Sequence, residues 1–223
     1  LSETADSFQY KAAKITDEII NTKHLEQAVE IILKSKNPVI WAGGGVHLSN
    51  SSKELLDLSE YLQIPVLTTP EGKGSISDEH YLSIGSPQGR STGNSKDPLR
   101  DFFYTCDLIL AIGTRFANAE PKKNQKVIQI DIDTKEIGRN HKNTLGLVGD
   151  AKKIIPKILK LVKFKKKTKD TKKSFFEKMR FERYDNPNNQ VEPLSSYVKA
   201  LRKGIPKDGI LVTDMTTVAY YSR

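Results

Sequence analysis

Residues 38–45 read PVIWAGGG and residues 106–115 read CDLILAIGTR; in both, an apolar run too short for a helix stops at glycine. Each run is apolar at every position, not at every second one. That is the pattern of a buried strand covered on both faces. It recurs in IPVLTTP (64–70), VIQID (127–131) and LGLVGD (145–150). Helical spacing fills the gaps. Leu25, Ala28, Val29, Ile32 and Leu33 follow Thr22, which reads as their cap. Leu55, Leu58 and Leu62 follow a capping box, Ser51 with Glu54. Asp97 and Pro98 open a helix that runs to about Tyr104. A second box, Asp133 with Glu136, predicts a short helix. Asp150 caps a helix carrying Ile154, Ile155, Ile158, Leu159 and Val162, with Pro156 in its second turn predicting a modest kink. The segment Glu71–Asn94, rich in Gly, Ser and Pro, reads as mostly loop. Apolar strands alternating with amphipathic helices make an α/β fold: a doubly wound, mainly parallel, six-stranded Rossmann-like sheet with helices on both faces.

The pattern divides the chain. Residues 23–163 form the α/β domain and 1–22 lead into it. Residues 164–192 read as a basic and polar linker with a breaker at Asn186-Pro187-Asn188-Asn189. Residues 193–223 begin a new unit: a helix through Leu194, Val198 and Leu201, then a strand at Ile210–Val212. One helix and one strand cannot bury a core. Together with the absence of an initiator Met, this creates the expectation of a piece of a longer protein. The polar start, with Glu3 and Asp6, has no signal-peptide character.

Composition is that of a globular protein, with 223 residues, 37% hydrophobic and 28% charged, and no stretch approaches a membrane span. The net charge is +9, but Lys163–Lys173 hold seven Lys against one Asp, which leaves +3 for the rest. The basicity therefore belongs to a solvated linker. No aromatic platform accompanies it, and a nucleic-acid partner is disfavoured. The single Cys106 excludes an intrachain disulfide and points to a reducing cytoplasm.

In a parallel α/β sheet, ligands gather at the carboxyl ends of strands. Those ends are Gly43-Gly44-Gly45, Thr68-Thr69-Pro70, Gly113-Thr114-Arg115, Asp131 and Gly149-Asp150. Glycines let backbone N–H groups approach a diphosphate, Arg115 can neutralise it, and Asp131 can accept from ribose hydroxyls. Each glycine equally serves a tight turn and Asp150 equally caps a helix; only as a set do they describe a dinucleotide or ADP-like site. Stricter signatures fail. Leu48 stands where a dinucleotide fingerprint needs its third glycine, and Gly74 where a Walker A loop needs Ser or Thr. His24, His47, His80 and His141 lack metal-ligand spacing, and Cys106 reads as a small core residue. Asp131 and Asp133 split into a ligand contact and a cap. No catalytic set and no metal site emerges.

The ordered series PVIWAGGGV (38–46), ELLDLSEYLQIPVLTTPEGKGSISDEH (54–80), CDLILAIGTRF (106–116), VIQIDIDTKEIGRN (127–140) and VGDAKKII (148–155) resembles the central domain of the thiamine-diphosphate-dependent enzymes, nearest the acetolactate synthase large-subunit group. KDGILVTD (207–214) resembles the start of that family's diphosphate-binding domain. The resemblance implies a parent carboligase or decarboxylase of 2-oxo acids, a transferase or lyase of branched-chain amino acid biosynthesis, assembled as a homodimer or homotetramer. In such a parent, thiamine diphosphate and Mg2+ are held by an amino-terminal pyrimidine-binding domain and a carboxy-terminal Gly-Asp-Gly motif. This chain contains no Gly-Asp-Gly, so it is expected to be inactive alone. By the same resemblance, the central domain is structural in many relatives, binds FAD in the acetolactate synthases, and binds ADP or the adenine of CoA in some others. The positions matching those contacts are Gly45, Thr69, Pro70, Gly85, Gly113, Thr114, Arg115, Asp131, Ile132 and Asp150. The loop GSPQGR (85–90) departs from the Gly-Met-His-Gly segment of flavin-binding members, and Met215-Thr216 from the pair usual after the preceding Asp. The alternative expectation is a stand-alone nucleotide-binding module without catalysis.

Overall fold

The computed structural model describes residues 20–87, 97–117, 119–165, 172–187 and 190–222. The leading 19 residues, most of the lysine tract and positions 88–90 of the departing loop lie outside them. In chain order come α1 (Thr22–Lys34), β1 (Pro38–Ala42), α2 (Gly45–Leu48), α3 (Ser52–Leu62), β2 (Val66–Thr68), β3 (Ser83–Gly85), α4 (Pro98–Thr105) and β4 (Leu108–Ile112). Then follow β5 (Lys126–Asp131), β6 (Thr144–Val148), α5 (Ala151–Lys165), α6 (Lys173–Tyr184), α7 (Leu194–Gly204) and α8 (Thr217–Tyr221).

The six strands pair in the order β3-β2-β1-β4-β5-β6, every pair parallel. Neighbouring parallel strands need crossover helices, and these cover both faces. Along β1, Ile40 and Ala42 join the core under α1, α3 and α5, while Val39 and Trp41 join the core under α4 and α6. Both sets are buried, which is why the strand is apolar throughout. The order runs outward from β1 to β3 and restarts beyond β1 at β4. The β1–β4 seam is therefore the switch point where the loops leave in opposite directions.

The caps divide into those that form and those that do not. Asp97 accepts from Leu99 N at 3.0 Å and Asp150 from Lys152 N at 2.8 Å, as expected. The cap of α1 is Asn21, one residue before Thr22, accepting from His24 N at 3.1 Å. Ser51 caps nothing with its side chain; its hydroxyl turns back to Val46 O at 3.3 Å. No helix follows Asp133, where residues 134–138 form turns. The expected loop at 71–94 contains β3, a three-residue edge strand. Inside the expected linker, α6 folds and docks, burying Phe176 and Met179 for roughly 1.5–3 kcal/mol each. Residues 210–212 do not form a strand: no neighbouring strand offers hydrogen bonds, and Ile210 and Val212 are each 88% exposed. Among the described residues, no helix is long and apolar enough to cross a membrane.

Candidate functional site

At the switch point the ends of β1 and β4 are laced together. Gly43 N donates to Ile112 O at 2.9 Å, Gly45 N to Gly113 O at 2.9 Å, and Gly113 N to Ile130 O at 2.9 Å. Gly113 sits at φ +59°, and a methyl group on Gly45 would lie 2.5 Å from Gly113 Cα. Only glycine permits this approach. The result is a floor of bare backbone beneath a cleft of about 900 Å3. A volume of that order suits a nucleotide-sized ligand.

Nine of the residues expected at the site do line this cleft: Gly44, Gly45, Thr69, Gly113, Thr114, Arg115, Asp131, Ile132 and Asp150. Gly43 lies under the floor, packed on Gly113 and Thr114. Pro70 begins a 3-10 turn, Pro70–Gly72, that Thr69 caps by accepting from Gly72 N at 3.0 Å, and it is not on the wall. Gly85 does not line the cleft. It ends β3 at φ +94°, and its missing side-chain space is filled by the Tyr184 hydroxyl of α6, away from the cleft.

Several residues of the cleft are not among those expected from the sequence. Leu48, Glu71 and Glu136 line the cleft, and Gln129 organises one wall. Gln129 is a buried amide between the apolar residues Ile128 and Ile130 of β5, the one signal that could have marked it. Its Nε2 donates to Thr114 O and to Glu136 O, both at 3.1 Å, and its Oε1 accepts from Gly138 N at 3.0 Å. One side chain thus ties the end of β4 and the turn after β5 to β5 itself. It also takes up the backbone groups that a helix after Asp133 would have used.

Burial holds the Asp131 carboxyl above the usual carboxylate range. A hydrogen bond from Asp133 N at 3.0 Å works against this, and the charges of Glu136 and Asp133 add to it. Arg115 is exposed at the end of β4. Cys106 is buried with its thiol donating toward Phe102 O at 3.4 Å, and burial pushes that thiol up to about 12, which is no nucleophile at neutral pH. The histidines stay apart: His24 contacts Gly146 O, His47 contacts Lys73 O and His80 contacts Glu60. Among the described residues no three His, Cys, Asp or Glu stand together as a metal site.

Comparison with known proteins places this geometry. Residues 25–158 match the family described as the thiamine pyrophosphate enzyme, central domain. A protein of Methanococcus aeolicus described as a probable acetolactate synthase large subunit is 40% identical over 144 residues, 62% of this chain and 23% of that relative. The acetolactate synthase large subunit of Corynebacterium glutamicum is 30% identical over 202 residues, 85% of this chain and 32% of that relative. The chain thus spans between about a quarter and a third of these relatives. In an X-ray structure, a protein of Mycobacterium smegmatis described as a thiamin diphosphate-dependent enzyme shares the fold at a TM-score of 0.55 and 17% identity. That match covers 69% of this chain and 30% of the other.

Proposed function

This chain belongs to the thiamine pyrophosphate enzymes, whose central domain it carries, and from that premise we propose that its cleft holds the adenosine-diphosphate part of FAD, or ADP itself, in an acetolactate synthase-like enzyme. The observation that carries the reading is the glycine floor between β1 and β4, which leaves backbone where a side chain would otherwise sit. Gly44 and Gly45 with Arg115 would take the diphosphate, Asp131 the ribose hydroxyls, and Ile132, 54% exposed beside them, the face of the base. An apolar side chain left that open on a cleft wall supports a flat apolar ligand surface.

In the same reading, residues 23–163 are the central domain, 1–22 and 164–192 connect it, and 193–223 begin the diphosphate-binding domain. Thiamine diphosphate and Mg2+, when bound in the parent, supply the chemistry of 2-oxo acid decarboxylation and carboligation. They would be held by other domains, so this chain alone turns over nothing. The parent assembles as a homodimer or homotetramer, and the lone buried cysteine fits a cytoplasmic location.

Calorimetric titration of the chain with FAD and ADP tests the cleft. A Kd below about 1 mM for either supports the reading, and weaker binding of both overturns it, leaving the domain a scaffold. Adding thiamine diphosphate, Mg2+ and pyruvate should release no CO2. Sustained release would overturn the assignment of catalysis to other domains.

A further inference from the structure

The cleft is acidic in a basic protein. Among the described residues, its lining includes Glu71, Asp131, Asp133, Glu136 and Asp150 against a single cation, Arg115, although the chain carries +9 overall. We propose that the cleft is built for a nucleotide whose ribose hydroxyls are free, and that Asp133 and Glu136, beside Asp131, reject nucleotides phosphorylated on that ribose. This deepens the adenosine-diphosphate reading and rests on it.

Three observations carry the proposal. First, the carboxylates are held in place. Gln129 fixes the backbone of Glu136 and Gly138, Asp133 Oδ1 accepts from Lys135 N at 2.9 Å, and Asn140 Nδ2 ties the turn to Arg115 O at 2.8 Å. The turn cannot swing away from an unwelcome charge without breaking these bonds. Second, Glu136 is only half neutralised. Its Oε1 takes Arg139 at 2.7 Å, while its Oε2 is buried with no hydrogen-bond partner. Third, Asp133 and Glu136 stand close enough to Asp131 that the charges of both act on its carboxyl.

The recognition logic follows from donors and acceptors. Ionised carboxylates only accept hydrogen bonds, and ribose hydroxyls can donate to them. A phosphate monoester at the 2′ or 3′ position brings only acceptors and about two more negative charges. One arginine suits one diphosphate, leaving a ribose phosphate to face carboxylates. Like charges set opposite each other are an effective way to exclude a competing ligand.

Titrations of the chain with ADP, 2′-phospho-ADP and 3′-phospho-ADP test this at one salt concentration. ADP should bind at least about tenfold more tightly than either phosphorylated form. In Asp133→Asn/Glu136→Gln the gap should fall below about threefold, through tighter binding of the phosphorylated forms. Asp133→Asn alone, at an exposed turn position, should narrow it in the same direction, so a misfolded double variant leaves the idea testable. Equal affinity for all three nucleotides in the unsubstituted chain, or an unchanged gap in a folded variant, overturns the proposal and spares the adenosine-diphosphate reading. Failure of ADP itself to bind overturns both.

Discussion

Gly45 and Gly113 meet backbone to backbone: Gly45 N donates to Gly113 O at 2.9 Å, and a methyl on Gly113 would stand 2.6 Å from Gly45 Cα. Two glycines distant in sequence are needed together, because neither loop can retreat. Each continues a buried strand, and the two strands are paired from Pro38 with Leu108 to Ala42 with Ile112. The contact sets the floor of the cleft, so fold and site share one constraint.

Gly113→Ala should therefore act twice. The residue sits at φ +59° and its new Cβ would meet backbone, which cannot yield as a side-chain tip can. A loss of about 1–3 kcal/mol is expected, seen as a fall in the thermal midpoint, together with loss of nucleotide binding. Gly138→Ala is the comparison. It too has a positive φ, +67°, but its Cβ would find only ordinary contacts near 3.7 Å, so it should lose stability less and keep the cleft. Equal losses in both variants would mean that strain in φ alone, and not the loop contact, matters.

A buried ion pair closes the sheet edge. Arg183 of α6 is 1% exposed and pairs with Asp97, the residue that caps α4, and also donates to Ser86 O. Leaving Asp97 without it strands a charge in a poorly hydrated place. Arg183→Ala should destabilise by about 3–5 kcal/mol, whereas Arg183→Met, which keeps the packing, should lose no more than the Ala variant. Hydrogen exchange should then rise first at β3 and α4. Unchanged protection there would show that α6 contributes nothing to the edge.

These two features mark what the sequence could and could not disclose. The apolar runs ending in glycine were legible because a strand covered on both faces has no polar positions to blur it. β3 was not, since three residues among Gly and Ser carry no pattern. Phe176, Met179 and Arg183 do lie at helical spacing, but Arg183 reads as solvated until Asp97, 86 positions away, is seen beside it. The apolar triplet at 210–212 misled in the opposite sense, since a strand exists only with a partner. The box at Asp133 and Glu136 failed because Gln129 claims the turn. Within the cleft, the strand-end residues follow from their position, while Leu48, at the end of the one-turn helix α2, and Glu71, in the 3-10 turn after β2, lie on connections whose path no local pattern fixes.

Asp107 gives the fold a pH dependence. Its carboxylate accepts from Ser35 Oγ at 2.5 Å, Lys36 N at 2.8 Å and Asn37 N at 3.0 Å, stapling the α1–β1 connection to the start of β4. Burial alone would raise its pKa, but these donors outweigh burial and hold it below the usual range. A depressed carboxylate stabilises the fold above its unfolded value, about 3.9, and the contribution is lost as pH falls through the folded value. Asp107→Ala should lose about 2 kcal/mol at pH 7 in urea unfolding. Much of the difference from the parent should vanish in strongly acid solution, and a constant difference across pH would assign the loss to packing instead.

Asp131 should show the opposite sign. Its carboxyl is held above the usual range, chiefly by burial, so the native state keeps the proton longer than the unfolded chain does. Stability then falls as pH rises from the unfolded value to the folded one, and the full penalty applies above it. Asp131→Asn keeps an oxygen to accept from Asp133 N while removing the charge. With allowance for solvent screening of a half-buried group, the thermal midpoint at pH 7 should rise on the order of 1–2 °C, and the gain should fade below about pH 4. The same variant should weaken ADP binding by about tenfold or more, because a charged acceptor facing ribose hydroxyls is lost. A carboxylate that lowers stability yet strengthens a ligand is held in place by binding. If the variant instead lowered the midpoint and left ADP affinity unchanged, Asp131 would be a structural turn residue and the ribose assignment would fall with it.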